Sequence, residues 1–77
     1  MFLIVLEVDG VPIEQHKYDT HSQVQNFMWN LERQYYEKGF NLEKMRDEPV
    51  VMSYAIKDEF ETKAWVHVFK NQVQKGN

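Results

Sequence analysis

Apolar residues recur at helical spacing between Thr20 and Gly39. They occupy positions i, i+3, i+4, i+7 and i+11, namely Val24, Phe27, Met28, Leu31 and Tyr35. That spacing places them on one face of an α-helix. Two capping boxes fit its start, Thr20 with Gln23 or Ser22 with Gln25. Gly39 suits the left-handed position that follows a last helical turn, with the next residue, Phe40, folding back on the helix end.

A predicted β-hairpin precedes the helix. Residues 2 to 8 are apolar at nearly every position, as expected of a central strand. Asp9-Gly10 predicts a two-residue type I′ turn. The returning strand, residues 11 to 18, contains Pro12, which cannot donate a ladder hydrogen bond and therefore belongs at a sheet edge. The predicted facing pairs are Val8 with Val11, Leu6 with Ile13, and Leu3 with His16. The predicted core face carries Ile4, Leu6, Val8, Val11 and Ile13.

Two strong strand patterns follow the helix, at residues 50 to 57 and 62 to 70. Residues 42 to 46 alternate weakly and are either a short strand or an irregular connection. The predicted fold is α+β with element order ββαβββ, or ββαββ in the second case: one amphipathic helix on one face of a mostly antiparallel sheet of four or five strands. This order superficially resembles a β-grasp domain, which usually separates its last two strands and adds a second helical piece, so no function is carried over. Residues 1 to 70 form the predicted domain, and residues 71 to 77 a flexible tail.

The last hairpin predicts a sheet with two unlike faces. In the simplest register the small-residue face carries Val51, Ser53, Ala55, Ala64, Val66 and Val68, and the aromatic face carries Met52, Tyr54, Ile56, Trp65, His67 and Phe69. One helix covers one side of a sheet, and the small-residue face suits its bulky side chains. The apolar patch left over consists of Leu3, Val5, Tyr54, Trp65 and Phe69, and we expect it to be a self-association surface unless another part of the chain covers it. The opposite assignment stays open, because a one-residue register slip exchanges the faces.

Composition and charge narrow the classes of function. The 77 residues make one domain, and its net charge of −3 comes from interspersed charges of both signs. Direct nucleic-acid binding is disfavoured because there is no basic stripe. The chain has no Cys, which removes disulfides and thiol chemistry and fits a reducing compartment. The apolar start is too short for a signal peptide or a membrane span, so we expect a cytoplasmic protein without membrane contact.

No motif carries a specific chemistry. The three histidines are His16, His21 and His67, and they lack the spacing of a metal site. Ser22 and Ser53 lack the context of a nucleophile. The carboxylates fall in predicted turns and loops, where they are solvated. We therefore expect no catalytic residue, no metal and no cofactor.

A second surface is predicted on the helix, away from its core face. It consists of Trp29, Glu32, Arg33 and Tyr36, and Trp, Tyr and Arg dominate binding hot spots. The alternative is that the two rings wrap over the rim of the sheet. We expect a non-enzymatic protein-binding module that self-associates, as a homodimer, and binds a protein of unknown identity. Its size and lack of motifs suggest a phage or mobile-element accessory protein that inhibits a host defence protein by steric occlusion.

The alternative function is a small-ligand or nucleotide-binding regulatory domain. Its pocket would lie between helix and sheet, near Tyr35, Phe40 and Trp65. A minimal enzyme is the third possibility, and it would require a pocket with a perturbed carboxylate or histidine.

Overall fold

One helix and five strands make up the chain in a computed structural model that describes residues 1 to 70. In chain order they are β1 (Phe2–Val8), β2 (Val11–Tyr18), α1 (His21–Tyr36), β3 (Asn41–Asp47), β4 (Val51–Lys57) and β5 (Thr62–Lys70). The predicted ββαβββ order is confirmed, and the weakly alternating segment is a strand. The predicted tail, residues 71 to 77, lies outside the described residues.

The strands form a single sheet in the order β2-β1-β5-β4-β3, and every neighbouring pair is antiparallel. The strand that comes last in the sequence, β5, is therefore in the middle. Pro12 lies in an edge strand, β2, as predicted. Its missing N–H therefore costs no hydrogen bond in the centre of the sheet. The other edge is β3.

The hydrophobic core lies between α1 and one face of the sheet. Its buried residues are Ile4, Leu6, Val24, Leu31, Ile56, Ala64, Val66 and Val68. The helix contributes Val24 and Leu31, and three further residues of its apolar face, Phe27, Met28 and Tyr35, pack around them. As expected, the small side chains of β5 face the core, since they leave room for the bulkier helix.

Local hydrogen bonds fix both ends of α1. The Gln23 N–H donates to Thr20 Oγ1 over 3.2 Å, and the Thr20 N–H donates to Gln23 Oε1 over 3.1 Å, so the first of the two predicted capping boxes is formed. At the other end Gly39 has a φ of +93°. The Phe40 N–H donates to the Tyr35 carbonyl over 2.9 Å, and the two rings meet edge to face.

The turn of the first hairpin is confirmed. Asp9 and Gly10 have φ values of 54° and 78°, and Val8 faces Val11. Two positive φ angles are the signature of a type I′ turn, and its twist matches that of the flanking strands.

Beyond this turn a β-bulge changes the predicted register. Glu7 faces Pro12 while Leu6 faces Glu14, so β2 contains one extra residue, Ile13. The observed pairs include Leu6 with Glu14 and Leu3 with Lys17; the predicted pairs of Leu6 with Ile13 and Leu3 with His16 are wrong. Val11 and Ile13 were expected in the core but are 57% and 53% exposed.

A second bulge corrects the predicted faces of the last hairpin. Lys57 faces Thr62 but Ile56 faces Ala64, so β5 contains one extra residue, Lys63. This shift of one residue affects β4 from Ile56 back to Val51. Each of these side chains lies beside the β5 residues of the face opposite to the predicted one. Met52, Tyr54 and Ile56 therefore lie with Ala64, Val66 and Val68 on the helix side, and Val51, Ser53 and Ala55 lie with Trp65, His67 and Phe69 on the other side.

The loop between β4 and β5 is held by Asp58. Its Oδ1 accepts the backbone N–H groups of Phe60 and Glu61 over 2.8 and 2.9 Å. These two hydrogen bonds favour the ionised carboxylate and lower the pKa of Asp58.

Candidate functional site

The side of the sheet opposite α1 is called here the open face. Alternation along the strands assigns to it Leu3, Val5, Glu7, Gln15, Lys17, Glu43, Arg46, Val51, Ser53, Ala55, Lys57, Trp65, His67 and Phe69. The helix that covers the core side is the only one within residues 1 to 70. The open face therefore lacks a helical layer in this part of the chain.

An apolar stripe crosses the middle of the open face. Leu3 of β1 faces Phe69 of β5, and Val5 faces His67 on the next rung. Trp65 and His67 have parallel rings with centroids 6.1 Å apart, and the His67 and Phe69 centroids are 6.2 Å apart. Phe69 is 42% exposed. The centre of the sheet thus presents a row of rings beside aliphatic side chains.

A polar cluster interrupts this stripe at its centre. Ser53 Oγ lies 2.7 Å from His67 Nδ1, and His67 Nε2 lies 3.4 Å from Glu7 Oε1. The His67 and Glu7 side chains are 24% and 31% exposed, and Ser53 is buried. The cluster joins the three central strands, because its members come from β1, β5 and β4.

The cluster keeps its hydrogen bonds whether His67 is neutral or protonated. In the tautomer with its proton on Nε2, neutral His67 donates to the Glu7 carboxylate and accepts a hydrogen bond from the Ser53 hydroxyl at Nδ1. Protonated His67 donates to both partners, since a hydroxyl is both donor and acceptor. Ser53 lies within β4, which pairs with β5 on one side and with β3 on the other, so the backbone of this segment is hydrogen-bonded to both neighbouring strands.

Charged residues border the stripe on the β3 and β4 side. Lys57 Nζ lies 3.1 Å from Glu43 Oε1, and Arg46 Nε lies 3.0 Å from Glu48 Oε2. Exposed ion pairs of this kind contribute little stability. Their position gives the apolar stripe a polar border on the β3 and β4 side.

Four of the five predicted self-association residues lie together on the open face: Leu3, Val5, Trp65 and Phe69. The fifth, Tyr54, does not, because the bulge at Lys63 turns it to the helix side, where it packs against the core. The cluster of Glu7, Ser53 and His67 was not predicted from the sequence. His67 is separated from its partners by 60 and 14 residues, and no spacing pattern connects them.

The predicted helix surface is contiguous and exposed. Trp29 and Tyr36 are 57% and 69% exposed. The guanidinium carbon of Arg33 lies 4.9 Å from the centroid of the Trp29 ring, within the range of a cation–π contact. Glu32, Arg33 and Tyr36 line one shallow hollow.

The predicted ligand pocket is not formed as expected. Tyr35 and Phe40 pack against each other on the helix side of the sheet, whereas Trp65 lies on the open face. Open grooves of about 620 and 630 Å³ flank α1 instead. Tyr18, Phe27 and Tyr35 line the groove beside β2.

Among residues 1 to 70 no three His, Asp or Glu side chains are grouped so as to hold a metal ion. No helix within that range has the length and apolarity needed to cross a membrane. In comparisons with known proteins, no family model, curated protein or solved structure matches this chain.

Proposed function

We propose that this chain is a non-enzymatic, cytoplasmic protein-binding module that forms a homodimer through its open face. The observation that supports this proposal is the apolar stripe formed by Leu3, Val5, Trp65 and Phe69 on the side of the sheet away from the core. Exposed apolar surface with a polar border is typical of interaction sites.

The dimensions of the open face suit a second copy of the chain. Five strands about 4.8 Å apart, with roughly seven residues rising about 3.3 Å each, give a flat area of roughly 500 Å². Two copies would together bury roughly 1,000 Å², near the lower limit for a specific interface. A two-fold axis brings the same surface of both copies together. The two ion pairs of the border each hold one charge of either sign, so they bring no excess of one sign into such a contact.

Light scattering over a protein concentration series tests the homodimer. The wild type should approach twice the monomer mass, and Trp65→Glu and Phe69→Glu should remain monomeric with unchanged circular dichroism. Phe60→Glu is the matched control, because Phe60 is an equally aromatic residue, 89% exposed, in the β4–β5 loop; it should still dimerise. Phe69→Glu keeps the test decisive if Trp65→Glu fails to fold. A wild type that stays monomeric at every concentration would refute the proposal.

The helix surface is the proposed site for a different protein. Trp29, Arg33 and Tyr36 are exposed side by side, and these are the residue types that dominate binding hot spots. We propose that the chain is a phage or mobile-element accessory protein that inhibits a host defence protein by covering it. A pull-down from host lysate should lose a specific protein with Trp29→Ala/Tyr36→Ala and keep it with Glu59→Ala, a loop control. Recovery of the same proteins by both variants would contradict this proposal.

A further inference from the structure

The polar cluster of Glu7, Ser53 and His67 lies within the surface that the proposed homodimer would bury. This inference therefore rests on the proposed function. His67 lies between Trp65 and Phe69 on β5, so a charge on its imidazole ring would lie in the middle of the apolar stripe.

The charged and polar groups that face His67 come from several strands. From β1 it meets Glu7, and from β4 the neutral Ser53. Farther out on the same face, Lys57 and Arg46 are already paired with Glu43 and Glu48, and β2 carries Gln15 and Lys17. Among residues 1 to 70, the ion pairs of Glu7 within 4.0 Å include only that with His67.

Protonation of His67 changes the net charge of the cluster. When the imidazole is neutral, the Glu7 carboxylate is an uncompensated negative charge. When the imidazole is protonated, the two side chains form an ion pair with no net charge, and Ser53 Oγ accepts the added N–H. Taking an unpaired carboxylate out of water is much less favourable than burying a hydrogen-bonded ion pair. In a two-fold dimer the unpaired carboxylates of both copies would be buried in one interface.

We infer that dimerisation through the open face is coupled to proton uptake at His67, so that the dimer tightens as the pH falls from about 8 to about 6, the range in which histidine changes charge. Each copy contributes one His67, so a dimer takes up as many as two protons. By linkage, log Kd of the dimer then decreases by up to about two for each unit by which the pH is lowered.

Sedimentation velocity at pH 8, 7 and 6 measures the dimer Kd of the wild type and two variants of the cluster. The wild-type Kd should fall at least about tenfold between pH 8 and pH 6. His67→Gln should have the same Kd at all three pH values. Glu7→Gln should reverse the trend and dimerise more weakly at pH 6, because the protonated imidazole then has no carboxylate partner. His16→Gln is the control for an unrelated histidine on the helix side of β2, and it should follow the wild type.

The possible outcomes separate this inference from the proposed function. A wild-type dimer whose Kd is unchanged or rises toward pH 6 overturns the proton coupling and leaves the homodimer standing. A wild type that is monomeric at all three pH values overturns the homodimer and the coupling together. Circular dichroism at each pH confirms that the variants are folded. If Glu7→Gln does not fold, His67→Gln alone still tests the proton coupling.

Discussion

Replacing Ile56 with Ala tests the packing of the core and the register on which it depends. Ile56 is 0% exposed, belongs to β4 and faces Ala64 beneath the helix. The substitution deletes three buried carbon atoms at about 0.8 kcal/mol each, or about 2.4 kcal/mol. The cavity left behind raises the expected loss in unfolding free energy to about 3–4 kcal/mol. A domain of this size has a total stability of roughly 4–12 kcal/mol, so the effect is large.

Ile13→Ala is the matched control, because it deletes the same atoms at a site that the sequence pattern assigned to the core, whereas that pattern placed Ile56 on the aromatic face. Ile13 is 53% exposed at the bulge of β2, so the expected loss is below about 1 kcal/mol. Urea denaturation followed by circular dichroism measures both variants. All samples need one low protein concentration, because self-association would add to apparent stability. Equal losses for the two variants would mean that β2 has no bulge at Ile13 and turns this side chain inward, which would refute the register described above.

Three further predictions concern the ends of α1 and the last loop. Thr20→Ala should cost about 1 kcal/mol of stability by removing the capping hydrogen bond, whereas Thr20→Ser should be close to the wild type in thermal melting. Gly39→Ala should cost about 1 kcal/mol through the backbone alone, because φ is +93° and an added Cβ meets no atom within 4 Å; Gly39→Asn should cost less, and equal melting temperatures for all three would contradict this. The hydrogen bonds that lower the pKa of Asp58 contribute stability that is complete above its ordinary value of 3.8 and is lost as the pH falls below it. Asp58→Asn should therefore show a smaller loss of stability between pH 5 and pH 2, and an unchanged acid profile would contradict the assignment.

Local signals were sufficient to predict the helix and the element order. The apolar spacing from Val24 to Tyr35 extends over about three helical turns, and the cap at Thr20 and the glycine at 39 each act within one turn. All three have the expected role in the structure. The choice between two capping boxes could not be made from the sequence, because Ser22 and Gln25 have the same spacing as Thr20 and Gln23.

The strand register and the candidate site depend on features that no short stretch of the sequence indicates. The bulges at Ile13 and Lys63 each add one residue to a strand, and neither Ile nor Lys is a residue type that indicates a bulge. Because side chains alternate with a period of two, each bulge exchanges the faces of the residues beyond it. The cluster of Glu7, Ser53 and His67 further requires the strand order, since β5 must lie between β1 and β4 to bring its members together.

The central position of β5 has a consequence for synthesis of the chain. This strand follows the other four in the sequence, yet it alone connects the pair β1 and β2 to the pair β3 and β4. Until the ribosome has released β5, both pairs present an unpaired inner edge, and the helix has no complete sheet to cover. The nascent chain therefore cannot close its core before β5 has emerged, and until then chaperones that bind exposed strands can reach both unpaired edges.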